Sequence, residues 1–217
     1  MFIGHAAVAL AAKPLAPRTS LALLFAAAFW VDMVWPVFLL AGIESVKIDP
    51  GNTAFTPLDF VHYPWTHSLA AAVAWSFLFA LVFYRNSNPG TSLILGLLVF
   101  SHWLLDALSH RPDLPLWPGS ETRIGLGLWY SVPSTLAVEL AMFAIGVAIY
   151  VRAAPARDRT GCYAFWGLIA FLLAAYAGNA FGPPPPSLPA IAIAGIAGAA
   201  LFTVWSWWAD RHRGAQP

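Results

Sequence analysis

Long apolar stretches separated by short polar connections dominate the chain. A helix needs about 20 mainly apolar residues to cross a bilayer, and six stretches are of this kind. They cover roughly residues 20–43, 67–84, 91–110, 130–151, 162–181 and 188–209. Pro64 precedes the second stretch and Pro89 precedes the third, as expected where helices begin. The pattern predicts an all-α polytopic membrane protein, a helical bundle of about six transmembrane helices.

The N-terminal segment MFIGHAAVALAA is apolar but too short to span a bilayer. We interpret it as a short half-helix tucked into the bundle. The alternative is an amphipathic helix that lies on the membrane surface. For the domain organisation, we expect residues 1–151 to form one membrane domain that contains the polar groups. Residues 152–217 would then add two transmembrane helices that pack on it.

Composition agrees with a membrane protein and argues against a nucleic-acid partner. Hydrophobic residues make up 59% of the chain and charged residues 10%, and the mean hydropathy is +0.69. A soluble domain usually has about 25% charged residues. The net charge of +1 creates no bulk field that would attract nucleic acid. We therefore expect membrane lipids around the protein and no nucleic acid bound to it.

Lys and Arg are unevenly distributed between alternate loops. One side carries Lys13, Arg18, Arg85, Arg152, Arg157, Arg159, Arg211 and Arg213, and the other side carries Lys47, Arg111 and Arg123. Loops rich in Lys and Arg stay in the cytoplasm. The bias predicts a multi-pass protein with both termini in the cytoplasm. The two longest loops, 44–66 and 111–129, would then face outward.

Ionisable groups are rare inside the apolar stretches, and they are concentrated in the first half of the chain. They are His5 in the half-helix and Asp32, His67, His102, Asp106 and Glu139 in the predicted spans. Charged groups at bilayer depth are costly and usually functional. Because no Lys or Arg lies in a span core, metal ions or histidines are the remaining partners for the carboxylates.

His102 and Asp106 stand four residues apart in the segment SHWLLDALSH. This spacing puts both side chains on one helix face, and His110 continues the same stripe. An imidazole and a carboxylate so placed can chelate one ion, and Zn²⁺, Mn²⁺ and Fe²⁺ all accept such mixed ligands. The other interpretation is a simple hydrogen-bonded pair.

The segment HYPWTHS leads into the second span. Thr66 is the predicted N-cap of that helix, and His67 opens it. Pro64 restricts the backbone before it, so we expect His62 to lie in the loop and fold back over His67.

Two further carboxylates have alternative roles. Pro36 removes the backbone bond to the carbonyl of Asp32 and predicts a kink there. Asp32 itself is either a ligand or a neutral acid bonded to another helix. Glu139 is either a proton shuttle or part of a polar patch with Ser134 and Thr135.

With these residues, the chain resembles the bacterial membrane-bound metal-dependent hydrolase family, a group of LexA-regulated inner-membrane proteins. The motifs are Gly4-His5, Asp32, the HYPWTHS segment, and HWLLD at 102–106 followed by Leu116-Trp117-Pro118. The resemblance covers about residues 1–118. Tyr63 stands where the family has Arg, and Val31 stands where it has Pro. The family is itself likened to zinc-dependent phospholipase C.

The resemblance implies a divalent metal site in the bacterial inner membrane. Its ligands would be His5, Asp32, His67, His102 and Asp106, with zinc the favoured ion and manganese or iron as alternatives. His62 and Glu139 are the candidate catalytic residues for proton transfer. The leading hypothesis is therefore a metal-dependent hydrolase that acts on a lipid-like or phosphoester substrate.

Two other classes of function fit the same residues. A transporter or permease could use intramembrane Asp and His to relay protons or ions, although the sequence has no visible internal repeat. A structural membrane subunit could use a metal to pin its helices. In that case the last two helices, with Gly195 and Gly198 on a close-packing face, would bind a membrane protein partner.

Overall fold

The computed structural model describes residues 1–85 and 88–214 and is mainly helical. The helices are α1 (Ile3–Ala11), α2 (Leu21–Ala28), α3 (Trp30–Leu40), α4 (Pro64–His67), α5 (Leu69–Tyr84), α6 (Pro89–Ser109), α7 (Val132–Ala153), α8 (Arg159–Phe181) and α9 (Leu188–Arg211). The short strands are β1 (Ser45–Ile48), β2 (Leu58–His62), β3 (Leu114–Pro115) and β4 (Arg123–Ile124). The predicted all-α polytopic membrane class is confirmed.

The number of membrane spans differs from the predicted six. Within the described residues, the four helices α6 to α9 are long and apolar enough to cross a bilayer. The pair α2 and α3 makes a fifth if its two halves are counted as one broken span. Helix α5 has 16 residues and is shorter than a full span, because the chain leaves helical geometry at Ser68. The Ser68 hydroxyl caps α5 by accepting a hydrogen bond from the Ala71 amide at 3.0 Å.

The first span breaks at Phe29, where α2 and α3 meet at an angle of 56°. The predicted kink at Asp32 and Pro36 is therefore wrong in position, since α3 continues through Pro36. A proline removes only one backbone bond, and here the neighbouring turns keep α3 helical. The break has two consequences for the site: it places Asp32 in the first turn of α3, and it ends α2 at Ala28.

Helix α1 lies inside the bundle, as the half-helix interpretation predicts. Most of its residues are buried, including Ile3, His5 and Leu10. It packs closely against α7 and also contacts α2 and α6. A Cβ atom at Gly146 would lie 2.5 Å from the Ala7 carbonyl oxygen, so the two helix backbones touch there. The surface-helix alternative is excluded by this burial.

The connections gather at two ends of the bundle. At one end the hairpin β1–β2 and the loop containing β3 and β4 pack together, since the Phe55 amide bonds to the Trp129 carbonyl at 3.1 Å. At the opposite end Lys13 binds Asp210 at 2.8 Å. The Arg157 amide bonds to the His212 carbonyl at the same end. This grouping matches the two sets of loops that the charge bias separates.

The last two helices are integrated with the first part of the chain. Helix α9 packs on α2, α3 and α8, and α8 also contacts α1. The proposed boundary between residues 151 and 152 stays a prediction.

Candidate metal centre

Five ionisable side chains from four separate helices converge inside the bundle. They form two groups, His5–His102–Asp106 and Asp32–His67–His102, and within each group the ligand atoms lie within 4.8 Å of one another. His102 belongs to both. Helices α1, α3, α4 and α6 supply the residues. These are the five residues that the family resemblance implied, and the fold brings all of them together.

The spacing of these atoms fits a bound ion. Two ligand atoms about 2.1 Å from one ion in tetrahedral geometry lie about 3.4 Å apart. His67 Nε2 lies 3.4 Å from Asp32 Oδ1, and His102 Nε2 lies 3.5 Å from the same oxygen. Asp106 presents Oδ2 to His102 at 3.2 Å and Oδ1 to His5 Nε2 at 3.2 Å. Because its two oxygens face different histidines, Asp106 is placed to bridge the two groups.

His102 is held with one nitrogen directed at the carboxylates. Its Nδ1 lies 2.8 Å from the carbonyl oxygen of Ala28, a helix-end carbonyl with no partner inside α2. Since only a protonated Nδ1 can donate to a carbonyl, Nε2 carries the lone pair in the neutral ring. That Nε2 is buried and makes no hydrogen bond within the described part of the chain. A buried lone pair between two carboxylates needs a cation or a proton, and a metal ion meets this need.

His67 is oriented by a hydroxyl and a carboxylate that the sequence did not connect to it. The Thr66 hydroxyl donates to Glu44 Oε2 at 2.7 Å and lies 2.6 Å from His67 Nδ1. Its proton is directed to Glu44, so its oxygen accepts from His67, which leaves Nε2 free to bind a metal. Thr66 is therefore an orienting residue inside α4, and the predicted N-cap role belongs to Ser68.

Glu139 holds the half-helix that carries His5. Its Oε2 accepts hydrogen bonds from the amides of Phe2 at 2.9 Å and Gly4 at 3.0 Å. These amides at the start of α1 have no helical partner. The ring of His5 stacks on the ring of His102 at 3.6 Å. The amino group of Met1 also reaches this place and lies 2.5 Å from Asp106 Oδ1.

A second polar group, absent from the sequence-based set, lies beside Asp106. His110 Nε2 is 3.9 Å from Asp106 Oδ1, and His110 Nδ1 is 3.0 Å from Asp113 Oδ1. Tyr63, the residue that replaces the family's Arg, donates its hydroxyl to the same Asp113 oxygen at 2.6 Å. Burial, together with the neighbouring Asp113 carboxylate, raises the pKa of the Tyr63 phenol well above its ordinary value. The helical spacing of His110 was the only sequence signal for this group.

The two predicted catalytic residues lie outside both ligand groups. His62 ends strand β2 opposite Ser45, and its side chain is exposed. Tyr63 takes the place expected for His62, with its ring 5.2 Å from the ring of His67. A role in proton transfer for His62 or Glu139 stays a prediction.

Three of the five ligand residues, Asp32, His67 and Asp106, line the polar end of a cavity of about 510 Å³, and His110 lines it beside them. The side chain of Asp32 is 37% exposed, whereas that of Asp106 is 2% exposed. A metal bound here would therefore be open towards the cavity on the Asp32 side, as catalytic metal sites require.

A membrane-embedded helical bundle with histidines and carboxylates gathered inside it defines an integral membrane protein with an intramembrane His/Asp cluster. The chain belongs to the YdjM inner membrane protein family, which it matches over residues 1–182. The inner-membrane part of the resemblance is thereby confirmed. The match extends beyond residue 118 to include α8 and leaves α9 outside. No curated protein and no solved structure matches the chain.

Proposed function

We propose that this protein is a metal-dependent hydrolase of the bacterial inner membrane that cleaves a phosphoester bond in a lipid-like substrate. The observation that carries the proposal is the convergence of three histidines and two aspartates, three of which line a cavity. Two carboxylates and neutral imidazoles suit a divalent cation, with zinc favoured over manganese or iron. Such an ion would lower the pKa of a bound water towards about 7 and polarise the scissile bond.

The surrounding residues support the chemistry in two ways. Thr66 and Glu44 hold His67, and Ala28 holds His102, so the ligand nitrogens are fixed before anything binds. Fixed ligands stabilise developing charge without reorganisation during the reaction.

The pair His110 and Asp113 is the best-placed route for a proton. His110 lines the cavity, and Asp113 orients its ring from the other side. A histidine held by a carboxylate in this way can take a proton from water or give one to a leaving group. His62 and Glu139 are less well placed for this proton transfer, because His110 lines the cavity and they are not among its lining residues.

Metal content is the first test of the proposal. Protein purified in detergent would be analysed for elements, with His67→Ala and Asp106→Ala compared with wild type. His212→Ala is the matched control, because His212 lies at the opposite end and pairs with Asp158 at 2.8 Å. We expect metal in wild type and in the control and its loss in both site variants. Metal-free wild type, or site variants that keep the metal, would overturn the metal site.

Turnover is the second test and separates the three classes of function. Metal-loaded protein would be incubated with phosphodiester and lipid phosphoester substrates, and release of the phosphorylated product would be followed. Hydrolysis that disappears on chelation and returns with zinc is the expected result. Bound metal with no turnover would favour a structural role, and metal-dependent ion flux in liposomes would favour a transporter.

A further inference from the structure

The cavity beside the ligand groups has charged residues at one end and mostly apolar walls, in which Thr56 and Asn179 are the further polar residues. Helix α8 contributes Phe171, Leu172 and Ala175, and α9 contributes Ala194, Gly198 and Phe202. Helix α3 completes the wall opposite. The last two helices thus carry a wall of the site, although the sequence marked them only as packing or partner helices.

The α9 side of this wall has small residues between the larger Ile191 and Phe202, namely Ala194, Gly195, Gly198 and Ala199. A Cβ atom at Gly198 would meet nothing within 4 Å, so open space lies in front of it. One turn earlier, a Cβ atom at Gly195 would come 3.0 Å from the ring of Pro36 on α3. Gly195 therefore lets α9 pack closely against α3, and Gly198, one turn further along α9, leaves room in the cavity.

The seam between α3 and α9 also has an apolar groove on its other side. This groove, of about 300 Å³, is lined by residues that include Met33, Ile196, Ala199 and Val204. Met33 and Ala199 line the main cavity as well. Val204 and Ile196 are exposed apolar side chains, as expected where a membrane helix faces lipid. Met33 and Ala199 therefore separate the cavity from the lipid-facing groove by a single layer of side chains.

We infer that the substrate carries a long hydrocarbon chain, which lies between α3, α8 and α9 while its phosphoester group faces the His/Asp end. This inference rests on the proposed hydrolase function and specifies its substrate class. A single chain with a charged head matches a cavity that has charged residues at one end and mostly apolar walls. A cation held by Asp32 and Asp106 complements a phosphate group, and the apolar walls gain from burying methylene groups. A small water-soluble phosphoester would leave those walls uncovered.

The two functions of the cavity come from different parts of the chain. The ligand residues lie within the family match of residues 1–182, and α9 lies beyond it. We therefore place selection for chain length at Gly198, apart from the residues that perform the chemistry.

Photolabelling tests where the chain lies. Wild-type protein in lipid nanodiscs would be labelled with hexadecyl phosphate that carries a diazirine at the chain terminus, and the labelled peptides would be mapped by mass spectrometry. We expect labels on the cavity-facing residues of α8 and α9, with butyl phosphate failing to compete and hexadecyl phosphate competing. Labels confined to exposed lipid-facing positions, or equal competition by both phosphates, would overturn the inference.

A matched pair of glycine variants tests the position of the chain. Gly198→Leu fills the cavity, whereas Gly178→Leu adds the same side chain at an exposed position on α8 with nothing within 4 Å. Overfilling a binding space by several methylene groups should lower the preference for hexadecyl over butyl phosphate about tenfold. The control should keep the wild-type preference. An unchanged preference in Gly198→Leu would contradict the assignment of this wall.

Different experimental results would overturn the proposed hydrolase function and the inferred hydrocarbon chain. Labelling at α8 and α9 in a protein that binds no metal and hydrolyses nothing would overturn the hydrolase and leave a chain-binding cavity. Metal-dependent hydrolysis of short and long phosphates at equal rates, without labelling of α8 and α9, would overturn the chain inference alone.

Discussion

At the scale of single residues, the site depends on groups that never touch the metal position. The ring of His67 is hydrogen-bonded to the Thr66 hydroxyl. That hydroxyl is in turn hydrogen-bonded to Glu44, whose residue is 2% exposed. Glu44 also accepts the amides of Trp65 and Thr66 at 2.8 and 2.9 Å. One buried carboxylate therefore fixes both the start of α4 and the ring of His67.

Removal of the Thr66 hydroxyl should weaken metal binding without removing a ligand. Loss of such an orienting partner typically costs about 10- to 100-fold in metal affinity, so Thr66→Val should bind zinc that much more weakly in a competitive chelator titration. Thr135→Val is the control, because the hydroxyl of Thr135 is also buried but bonds to the carbonyls of Leu128 and Ser131. Wild-type affinity in Thr66→Val would contradict the role of this hydroxyl.

Tyr63 gives the site a measurable pH dependence. Burial next to Asp113 raises the pKa of its phenol above the ordinary value of 10.0. The folded protein therefore keeps this proton at a pH where the unfolded chain releases it. Stability from this group is complete below pH 10 and is lost as pH rises towards the pKa of the folded state.

Tyr63→Phe should remove that dependence. The stability of wild type should fall more steeply above pH 10 than that of the variant, and below pH 10 the difference between them should be constant. Thermal unfolding across this range measures it. At the same pH the folded forms should show equal tyrosinate absorbance, since the other tyrosines are shared. Extra tyrosinate in folded wild type near pH 10 would show that the phenol is not protected.

At the scale of secondary-structure elements, a broken span and a half-helix create the site. The break at Phe29 frees the Ala28 carbonyl for His102 and brings Asp32 to the start of α3. There the exposed amides of a helix N-terminus favour a negative charge. The half-helix α1 inserts His5 from the other direction, and Glu139 satisfies its first amides. An unbroken first span and a surface-bound α1 would leave His102 and Asp106 without these partners.

The close contact of α1 and α7 requires a residue without a side chain at position 146, where the chain has Gly146. In Gly146→Ala the new Cβ would lie 2.5 Å from the Ala7 carbonyl oxygen, so the helices must separate at a cost of about 1–3 kcal/mol. Metal affinity should fall as well, because α1 carries His5. Gly178→Ala should instead be neutral or stabilising by up to about 1 kcal/mol, since alanine is the better helix former in open space. Chemical unfolding of both variants tests the opposite signs.

The sequence predicted the five converging residues and the half-helix that carries His5, but not the helix break and the orienting contacts that complete the site. The spacing of His102 and Asp106 and the depth of the other ionisable groups are local properties that a sequence displays. Glu44 could not be assigned, because its contact with Thr66 depends on the hairpin β1–β2 that folds between them. The break at Phe29 has no glycine or proline to mark it. The wall on α8 and α9 is mostly apolar, and the residues that line it, Asn179 included, offer no ionisable group that would have indicated a site.

At the scale of the whole molecule, the loops divide between two ends. The outer-loop candidates, with the ligand groups nearby, hold three of the Lys and Arg residues, and the other end holds eight. The end with eight Lys and Arg residues is stabilised by interactions between segments that are distant in the sequence. Lys13 and Tyr150 both bind Asp210, and Arg213 donates to the Ala154 carbonyl. The charge bias then predicts that this end lies in the cytoplasm and that the cavity lies nearer the outer face.

A matched pair of single-cysteine variants decides this orientation. The chain contains one cysteine, Cys162, so Cys162→Ser provides a background without thiols. One cysteine is then added to this background at an exposed position, either His62→Cys at the end of β2 or Arg159→Cys at the start of α8. We expect a membrane-impermeant maleimide added to spheroplasts to label the first variant and to reach the second only after permeabilisation. The reverse pattern would invert the protein in the membrane and place the metal centre towards the cytoplasm. Equal labelling of both in intact spheroplasts would mean that the two loop sets share one side, which the separation of the two ends of the bundle does not allow.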